Sequence, residues 1–385
     1  MKARVIAYYL PQFHPIPEND YWWGKGFTEW TNVAKAKPLF KGHYQPRIPA
    51  DLGFYDLRLP EIREQQAQMA KDAGIEGFCY WHYWFGNGKQ LLQRIFDEVL
   101  ESGKPDFPFC LGWANHSWKT STWVQKGGVK TDNMIAEQTY PGKDDYKQHF
   151  DYVLKAFKDP RYIQVDGKPL FVVFAPNEIP NCKTEFIDYW QQLAKENGLN
   201  GIHFVGYTEN TGKISDGVKG IQSAFPVDQS AFFYNRVIEK GFDAVSSMGF
   251  YRVENILQGK IRFLLKRQLY NRLGLSLISR LDYEKAMENY YVEEDRWENV
   301  YPSLIPQWDR SPRSAGLNAI YIDSTPEKFR KAIQTALKLI ENKKDEHRIL
   351  FLKSWNEWAE GNYVEPDLRY GMGYINAIKE TIFAL

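Results

Sequence analysis

Cysteine is scarce in this chain. Its 385 residues include three, Cys79, Cys110 and Cys182, too few and too scattered for a disulfide framework or a thiolate zinc site. Cys79 and Cys110 sit inside apolar runs and read as small core residues. A dominant sign of charge is lacking too, because Lys and Arg nearly balance Asp and Glu and leave a formal net charge of +1. That balance argues against nucleic acid and against a strongly acidic partner. No run of about 18 apolar residues occurs, so no membrane-spanning helix is expected. The apolar run behind Met1-Lys2-Ala3-Arg4 is short and has no small-residue cleavage site, which does not fit a signal peptide. A cytoplasmic location is the expectation. Also missing are a Pro/Ser linker, a low-complexity tract and an internal repeat, so one domain over residues 1–385 is expected. Finally, no Asp-x-Asp follows an apolar strand and no Gly-rich loop enters a helix, the usual marks of a nucleotide-sugar or diphosphate cradle.

What the chain has in excess is aromatic residues, 13 Trp, 24 Tyr and 24 Phe, many beside His, Asn or Gln. Aromatic rings with polar neighbours suit carbohydrate, whose C–H faces lie on rings while its hydroxyls need directed hydrogen bonds. The rings are not spread evenly. Short apolar runs recur, at Val5–Leu10, Gly77–Trp81, Phe109–Trp113, Leu170–Phe174, His203–Tyr207, Ala244–Met248, Leu304–Trp308 and Ile349–Leu352, and most are separated by helical stretches. Pro60-Glu61 opens one helix that Gly74 closes. Thr325-Pro326-Glu327 opens another, whose Phe329, Ala332, Ile333, Ala336, Leu337 and Ile340 share a face. Strand and helix in alternation imply a parallel sheet, and eight strands imply an α/β fold of the (β/α)8 TIM-barrel type.

Active sites of such barrels gather where the strands end. Here the ends are polar and aromatic. The first strand brings Tyr9 and His14, the second Trp81, His82 and Trp84, and the third Trp113, Asn115 and His116. The fifth adds Tyr207 and Glu209, and the seventh Trp308. These are the candidate substrate-binding residues, expected to converge on one aromatic pocket with a polar floor.

The eighth strand ends in Ser354-Trp355-Asn356-Glu357-Trp358-Ala359-Glu360-Gly361. Side chains three apart on a helical turn lie roughly 5 to 6 Å from each other, so Glu357 and Glu360 are expected to face one small volume. Two carboxyls so placed suit retaining cleavage of a glycosidic bond, one donating a proton while the other acts as an anion. An apolar wall beside one of them would keep it protonated. Trp355 and Trp358 offer candidate faces for sugar rings, and Asn356 a candidate polar contact.

Two insertions interrupt the pattern. The first, about residues 19–49, holds Trp22-Trp23-Gly24-Lys25-Gly26-Phe27-Thr28-Glu29-Trp30 and is too rich in Trp and Gly to read as helix. It is expected as a long βα-loop over the pocket, with Glu29 a candidate third acid and Trp30 a candidate sugar contact. The second, about 251–299, carries six Lys or Arg and no acid between Gln258 and Leu281, with apolar residues at helical spacing. A basic amphipathic helix near 260–273 can pack as a lid or lie peripherally on an anionic membrane surface.

Several of these motifs are shared with a known family. Tyr8-Tyr9-Leu10-Pro11-Gln12-Phe13-His14-Pro15, Gly26-Phe27-Thr28-Glu29-Trp30-Thr31-Asn32, Trp81-His82-Tyr83-Trp84-Phe85 and Trp113-Ala114-Asn115 make the chain resemble, over nearly its full length, the WbsX-type proteins of bacterial polysaccharide loci, which are like glycoside hydrolase family 99. Asn356-Glu357-Trp358-Ala359-Glu360-Gly361 is similar to the endo-α-mannosidase motif Asn-Glu-Trp-His-Glu-Gly, and Glu365-Pro366 follows as it does there. The resemblance implies a (β/α)8 barrel and a retaining mechanism in which the sugar's own 2-hydroxyl displaces the leaving group. Under it Glu357 would take the 2-hydroxyl proton, and Glu360 would protonate the leaving oxygen and then activate water. It implies no metal, no nucleotide and no other cofactor. The histidine between the two acids is Ala359 here, so the acids carry over and the group between them does not.

Three functions remain in view. The first is an endo-acting retaining glycosidase or transglycosylase on a polysaccharide or oligosaccharide. The second is a glycosyltransferase of surface polysaccharide synthesis, and the third a carbohydrate-binding barrel without turnover. Carbohydrate is the expected partner in each, and no protein partner is expected.

Overall fold

The computed structural model describes residues 2–120, 133–209, 230–259, 278–313 and 319–383, with positions 262, 265, 266, 268, 269 and 272. Eight parallel strands form a closed ring. They are β1 (Arg4–Tyr9), β2 (Ile75–Trp84), β3 (Phe109–Trp113), β4 (Lys168–Val173), β5 (His203–Glu209), β6 (Ala244–Met248), β7 (Val300–Leu304) and β8 (Ile349–Leu352). Each pairs with the next, and β8 returns to β1 with Arg4 to Ala7 opposite Ile349 to Leu352. This is the expected TIM barrel. Its strands are apolar runs because a parallel barrel buries both faces, one inside and one beneath the helices. The interior is aromatic: the Tyr8 ring stacks on Trp81 at 4.7 Å and on Phe351 at 5.1 Å, and its hydroxyl shares a 3.0 Å hydrogen bond with Ser246.

The outer layer includes α1 (Pro60–Asp72), α2 (Arg94–Ser102), α3 (Lys143–Phe157), α4 (Asp188–Glu196), α5 (Ser230–Ile238), α6 (Pro326–Ile340) and α7 (Gly373–Ile382). Local chemistry sets their ends. Pro60 opens α1, and Gly74 follows its end at φ 80. The Thr325 hydroxyl accepts from the Lys328 N–H ahead of α6. Phe329, Ala332, Ile333, Ala336 and Ile340 of α6 are buried against the barrel, with Leu339 also buried and Leu337 half-buried at the edge. Each large apolar side chain so buried stabilises the packing by about 1.5–3 kcal/mol.

Three expectations need correction. The seventh strand is Val300–Leu304, not Leu304–Trp308. Its Tyr-Pro-Ser centre does not look like a barrel strand, yet the Tyr301 hydroxyl reaches His203 and His347 at 3.0 and 2.8 Å, which lets a polar-looking run be buried. The chain past Leu304 instead carries Gln307, Trp308 and Asp309 across the barrel mouth. The first insertion is partly helical, with turns at Pro17–Trp23 and Glu29–Lys35. Gly24 ends the first at φ 102, and Thr28 stands extended before the second, its N–H donating to the Thr31 hydroxyl at 3.2 Å. The glycines thus lie between the helices, and Trp30 finds a buried berth among Phe13, Tyr55 and Trp358. The third correction is to the rim residues and is taken up with the site.

The second insertion contributes a helix at Phe250–Gln258, a strand at Ser279–Asp282 that pairs with Ala319–Ile322, and a helix at Tyr283–Glu288. Of the basic segment 260–273, the described positions are helical. Arg262, Leu265 and Leu269 are exposed, while the Lys266 ammonium is turned inward to the Ser279 hydroxyl at 2.6 Å. The rest of that segment lies outside the described residues. Among the described residues no helix is long and apolar enough to cross a membrane.

Candidate active site

The chain leaving β8 is pinned before it turns. The Asn356 side chain accepts from the Leu10 N–H at 2.8 Å and donates to the Leu10 carbonyl at 3.1 Å, tying this segment to the end of β1. The Ser354 hydroxyl accepts the Glu357 N–H at 2.7 Å. Trp358–Glu360 then forms a single tight helical turn, and side chains three apart in such a turn eclipse each other. Gly361 closes it at φ 63. A methyl group there would stand 3.0 Å from Asp309 Cβ and 3.1 Å from Arg47 Cζ, so glycine is needed for both shape and space.

Glu357 and Glu360 meet a third carboxylate, Glu29, around one guanidinium. Arg313 Nη2 and Nε donate to Glu29 Oε1 at 2.8 and 3.2 Å, while Nη1 donates to Glu360 Oε1 at 2.8 Å and Glu357 Oε1 at 3.3 Å. All four residues are buried. Arg310 Nε adds a 3.0 Å contact to Glu360, and the Lys353 ammonium stands 3.9 Å from Glu357 Oε2. Tyr83 lies close enough to all three acids to feel their charge, edge-on to Trp118 at 5.1 Å.

Three carboxylates this close cannot all stay charged. Burial pushes Glu29 up to about 7 despite Arg313. Burial and the neighbouring Glu360 raise Glu357. Glu360 feels the same burial, but Arg310, Arg313 and Lys353 outweigh it and hold the carboxyl at about 2. Of the pair, therefore, Glu360 is the firmly held anion and Glu357 takes up a proton more readily. This order is opposite to the division that the resemblance implies. Trp355 and Trp358 do not produce the asymmetry; the arginines do.

Beneath Glu360 runs a second polar layer. Asp309 N–H donates to the Glu360 carbonyl at 2.8 Å. The Asp309 carboxylate accepts from His43 Nε2 at 2.8 Å and Gln45 Nε2 at 2.7 Å, and although burial pushes it up, His43, Arg47 and the Ser311 N–H hold it at about 2. His43 Nδ1 accepts the Leu39 N–H, which leaves the ring proton on Nε2 for Asp309. Arg47 donates to Gln307 Oε1 at 2.6 Å and to the Gly361 carbonyl at 3.0 Å. The first insertion is thereby fastened to the exits of β7 and β8. Glu365 is a further buried carboxyl, pushed up to about 7 by burial and ringed by donors from Trp358, Gln66 and Tyr55.

The predicted rim residues divide by the pleat of their strands. Trp81 and Tyr207 point into the barrel, Trp81 against Tyr8 and Tyr207 against Phe174 at 4.8 Å with the Lys353 ammonium 5.6 Å from its ring. His116 is exposed at the mouth beside Phe174. The others serve the scaffold. Tyr9 faces outward, its hydroxyl donating to Gln66 at 2.7 Å. His82 also faces outward and shares a 2.8 Å hydrogen bond with His149 of α3, on which Trp84 stacks at 4.7 Å. Trp113 packs against the same His149 and donates to the Trp84 carbonyl. Asn115 clamps Ala175 through both polar atoms. His14 is buried against the Pro11 carbonyl, Trp30 in its aromatic nest, and Trp308 against Phe250 at 3.9 Å. Trp355 and Trp358 are 0% and 1% exposed, so neither offers a face to a sugar. Trp355 packs on Phe78, and Trp358 stacks on Tyr363 at 3.6 Å. The side chain of Glu209 lies outside the described residues. Sequence reasoning missed Arg313, Arg310, Lys353, His43 and Tyr83. Only Tyr83 had a signal, as the residue two beyond the inward Trp81.

The His82–His149 pair predicts acid sensitivity. Burial pushes His82 down to about 3 and His149 well below the usual imidazole value. The unfolded chain therefore binds more protons than the folded one below about pH 6.5, and stability is lost as pH falls through that window. Urea unfolding should show a loss of about 2 kcal/mol per buried imidazole between pH 6.5 and 5. The loss should shrink in His82→Phe. An unfolding midpoint that stays constant over the same span would show that these rings are solvated.

Comparison with solved structures places the barrel among known folds. Over 98% of this chain and 93% of the other, it is similar to a protein described as glycoside hydrolase-like, at 16% identity and TM-score 0.56. It is also similar, over 99% and 96%, to a family 99 endo-α-mannosidase from Bacteroides thetaiotaomicron, at 13% identity and TM-score 0.52. At such identities the likeness is one of fold. In sequence, the chain is 33% identical over 383 residues to proteins named "Uncharacterized protein WxcX" from two strains of Xanthomonas campestris pv. campestris. It spans about half the length of these curated relatives, 99% of this chain against 50% of theirs. Since the model of the family described as Glycosyltransferase WbsX also matches residues 5–378, the chain belongs to that family.

Proposed function

We propose that this barrel is a retaining, endo-acting glycoside hydrolase or transglycosylase for a polysaccharide or oligosaccharide, with Glu357 and Glu360 as its acid–base pair. The observation that carries this reading is the convergence of three buried carboxylates on one guanidinium at the barrel mouth, two of them with opposite proton affinities. Carboxyls whose surroundings push them apart mark an acid and a base. The likeness of the barrel to a family 99 endo-α-mannosidase supports the same class of chemistry.

Arg313 Nη1 touches both acids, so a sugar can reach them only by displacing it. The displacement removes one of the cations that hold Glu360 ionised, which raises its affinity for a proton although Arg310 stays beside it, and leaves Lys353 to stabilise charge on Glu357. Once Glu360 has taken up a proton from solvent, the pair reaches the division in which Glu357 takes the 2-hydroxyl proton and Glu360 gives its own to the leaving oxygen. The 2-oxygen closes on the anomeric carbon as the glycosidic bond breaks. Water, or another hydroxyl in a transfer, then opens the anhydro sugar, losing its proton to Glu360 while the 2-oxygen regains one from Glu357.

The family's description favours a second reading, transfer from a nucleotide sugar. One experiment separates the two. Bacterial surface glycans and α-mannans are incubated with the protein in ¹⁸O water without nucleotide sugar, beside Glu360→Gln, and products are followed by mass spectrometry. Shorter, labelled glycans that are absent with the variant are expected. Activity that appears only when a nucleotide sugar is added would overturn hydrolysis.

A further inference from the structure

Next to the acid cluster, and joined to it by the bond from Asp309 N–H to the Glu360 carbonyl, is a second cavity of about 220 Å³. That is room for one monosaccharide and a substituent. Its lining is short of acceptors. Arg47 Nε and Gln307 Nε2 belong to buried residues that line the cavity, and neither atom has a hydrogen-bond partner in the protein. Both can only donate. Buried donors are rarely left unmatched, so this pair calls for an acceptor from outside the chain.

The charge points the same way. Lys41, Arg280 and Arg369 stand at the exposed edge of the cavity above the buried Arg47. Two carboxylates also line it, but Asp309 is already committed to His43 and Gln45, and Asp323 lies at the exposed rim. Aromatic rings hold the guanidinium groups: Arg280 lies over Phe40 at 5.0 Å, and Arg369 over Tyr44 at 4.9 Å and Tyr370 at 5.2 Å. Stacked in this way, an arginine fork loses less freedom when it meets a carboxylate or phosphate.

We propose that this cavity is a subsite for a sugar residue bearing an anionic group, a carboxylate or a phosphate ester, and that the glycan presented to the neighbouring acids is therefore an acidic one. The second half rests on the glycosidase reading; the first does not.

The test is binding without turnover. The full chain is titrated with glucuronate, glucose 6-phosphate, glucose and inorganic phosphate, with ligand-observed NMR as the readout. Both anionic sugars should bind on the order of tenfold more tightly than glucose or inorganic phosphate. Arg280→Gln with Arg369→Gln, both at exposed positions, should weaken them by about tenfold. Glucose binding as tightly as glucuronate would overturn anion recognition, and inorganic phosphate matching the sugars would overturn a sugar subsite. Indifference to the double variant would place the binding elsewhere. If the glycan panel shows no cleavage while glucuronate still binds here, the hydrolase reading fails and the subsite stands.

Discussion

Glu357→Gln and Glu360→Gln should both lose turnover, by a factor on the order of 10² to 10⁴, but should differ sharply in stability. The resting charges require this. Burial and Glu360 oppose the ionisation of Glu357. A carboxamide there keeps nearly the same shape, removes a charge that the site disfavours, and should cost less than about 1 kcal/mol. Glu360 is an anion held 2.8 Å from Arg313 and 3.0 Å from Arg310. Its carboxamide leaves part of that cationic charge unanswered in a buried site. Removing one partner of a buried pair costs about 3–5 kcal/mol, and the low end applies here because Arg310 is partly open to solvent. Urea unfolding of the two variants at pH 7 measures the difference with no substrate present. If Glu357→Gln proved the more destabilising, Glu357 and not Glu360 would be the more firmly held anion, and displacement of Arg313 would not be needed to bring a proton to Glu360.

This division of charge has no trace in the sequence, and the reason is geometric. Glu357 and Glu360 are readable because they are three residues apart after an apolar strand, so local geometry alone brings them together. The guanidinium that sets their charges comes from a loop after β7 and reaches Glu29 across 284 positions of chain. No local pattern marks Arg313 off from any other arginine in a loop. The barrel was more legible, because a strand buried on both faces must be an apolar run. β7 escaped because it buries Tyr301 through the hydrogen bonds of its hydroxyl, which composition does not reveal.

The substrate-binding residues show a different failure, one of phase. On β2 the inward residues are Trp81 and Tyr83, and the outward ones are Tyr80, His82 and Trp84. A strand turns alternate side chains to opposite faces, so Trp81 and His82 cannot both line one pocket. Histidine and tryptophan at a strand end look functional on either face. Tyr9 and Trp113 fall on the wrong face for the same reason. In the eight-strand motif, the indoles that seemed to flank the acids are instead the packed floor that fixes the turn.

Arg313→Met is expected to have its largest effect on stability, and one that depends on pH. Methionine can fill much of the arginine stem's volume but leaves Glu29, Glu357 and Glu360 with only Arg310 and Lys353 nearby. At pH 8 the loss should reach about 3–5 kcal/mol, that of a buried charge cluster deprived of its central counterion. At pH 5 it should be smaller, and the sign follows from proton uptake. Without Arg313 the folded state raises the carboxyls above their unfolded values, so it binds more protons than the unfolded chain, and stability falls as pH rises through that interval. Turnover should suffer less than in either Glu variant, because a guanidinium that must leave before a sugar enters is no part of the transition state. Paired measurements of unfolding and of glycan cleavage at pH 5 and pH 8 check both statements. A variant as inactive as Glu360→Gln, with a stability loss independent of pH, would make Arg313 a substrate contact and not the resting occupant of the cleavage site.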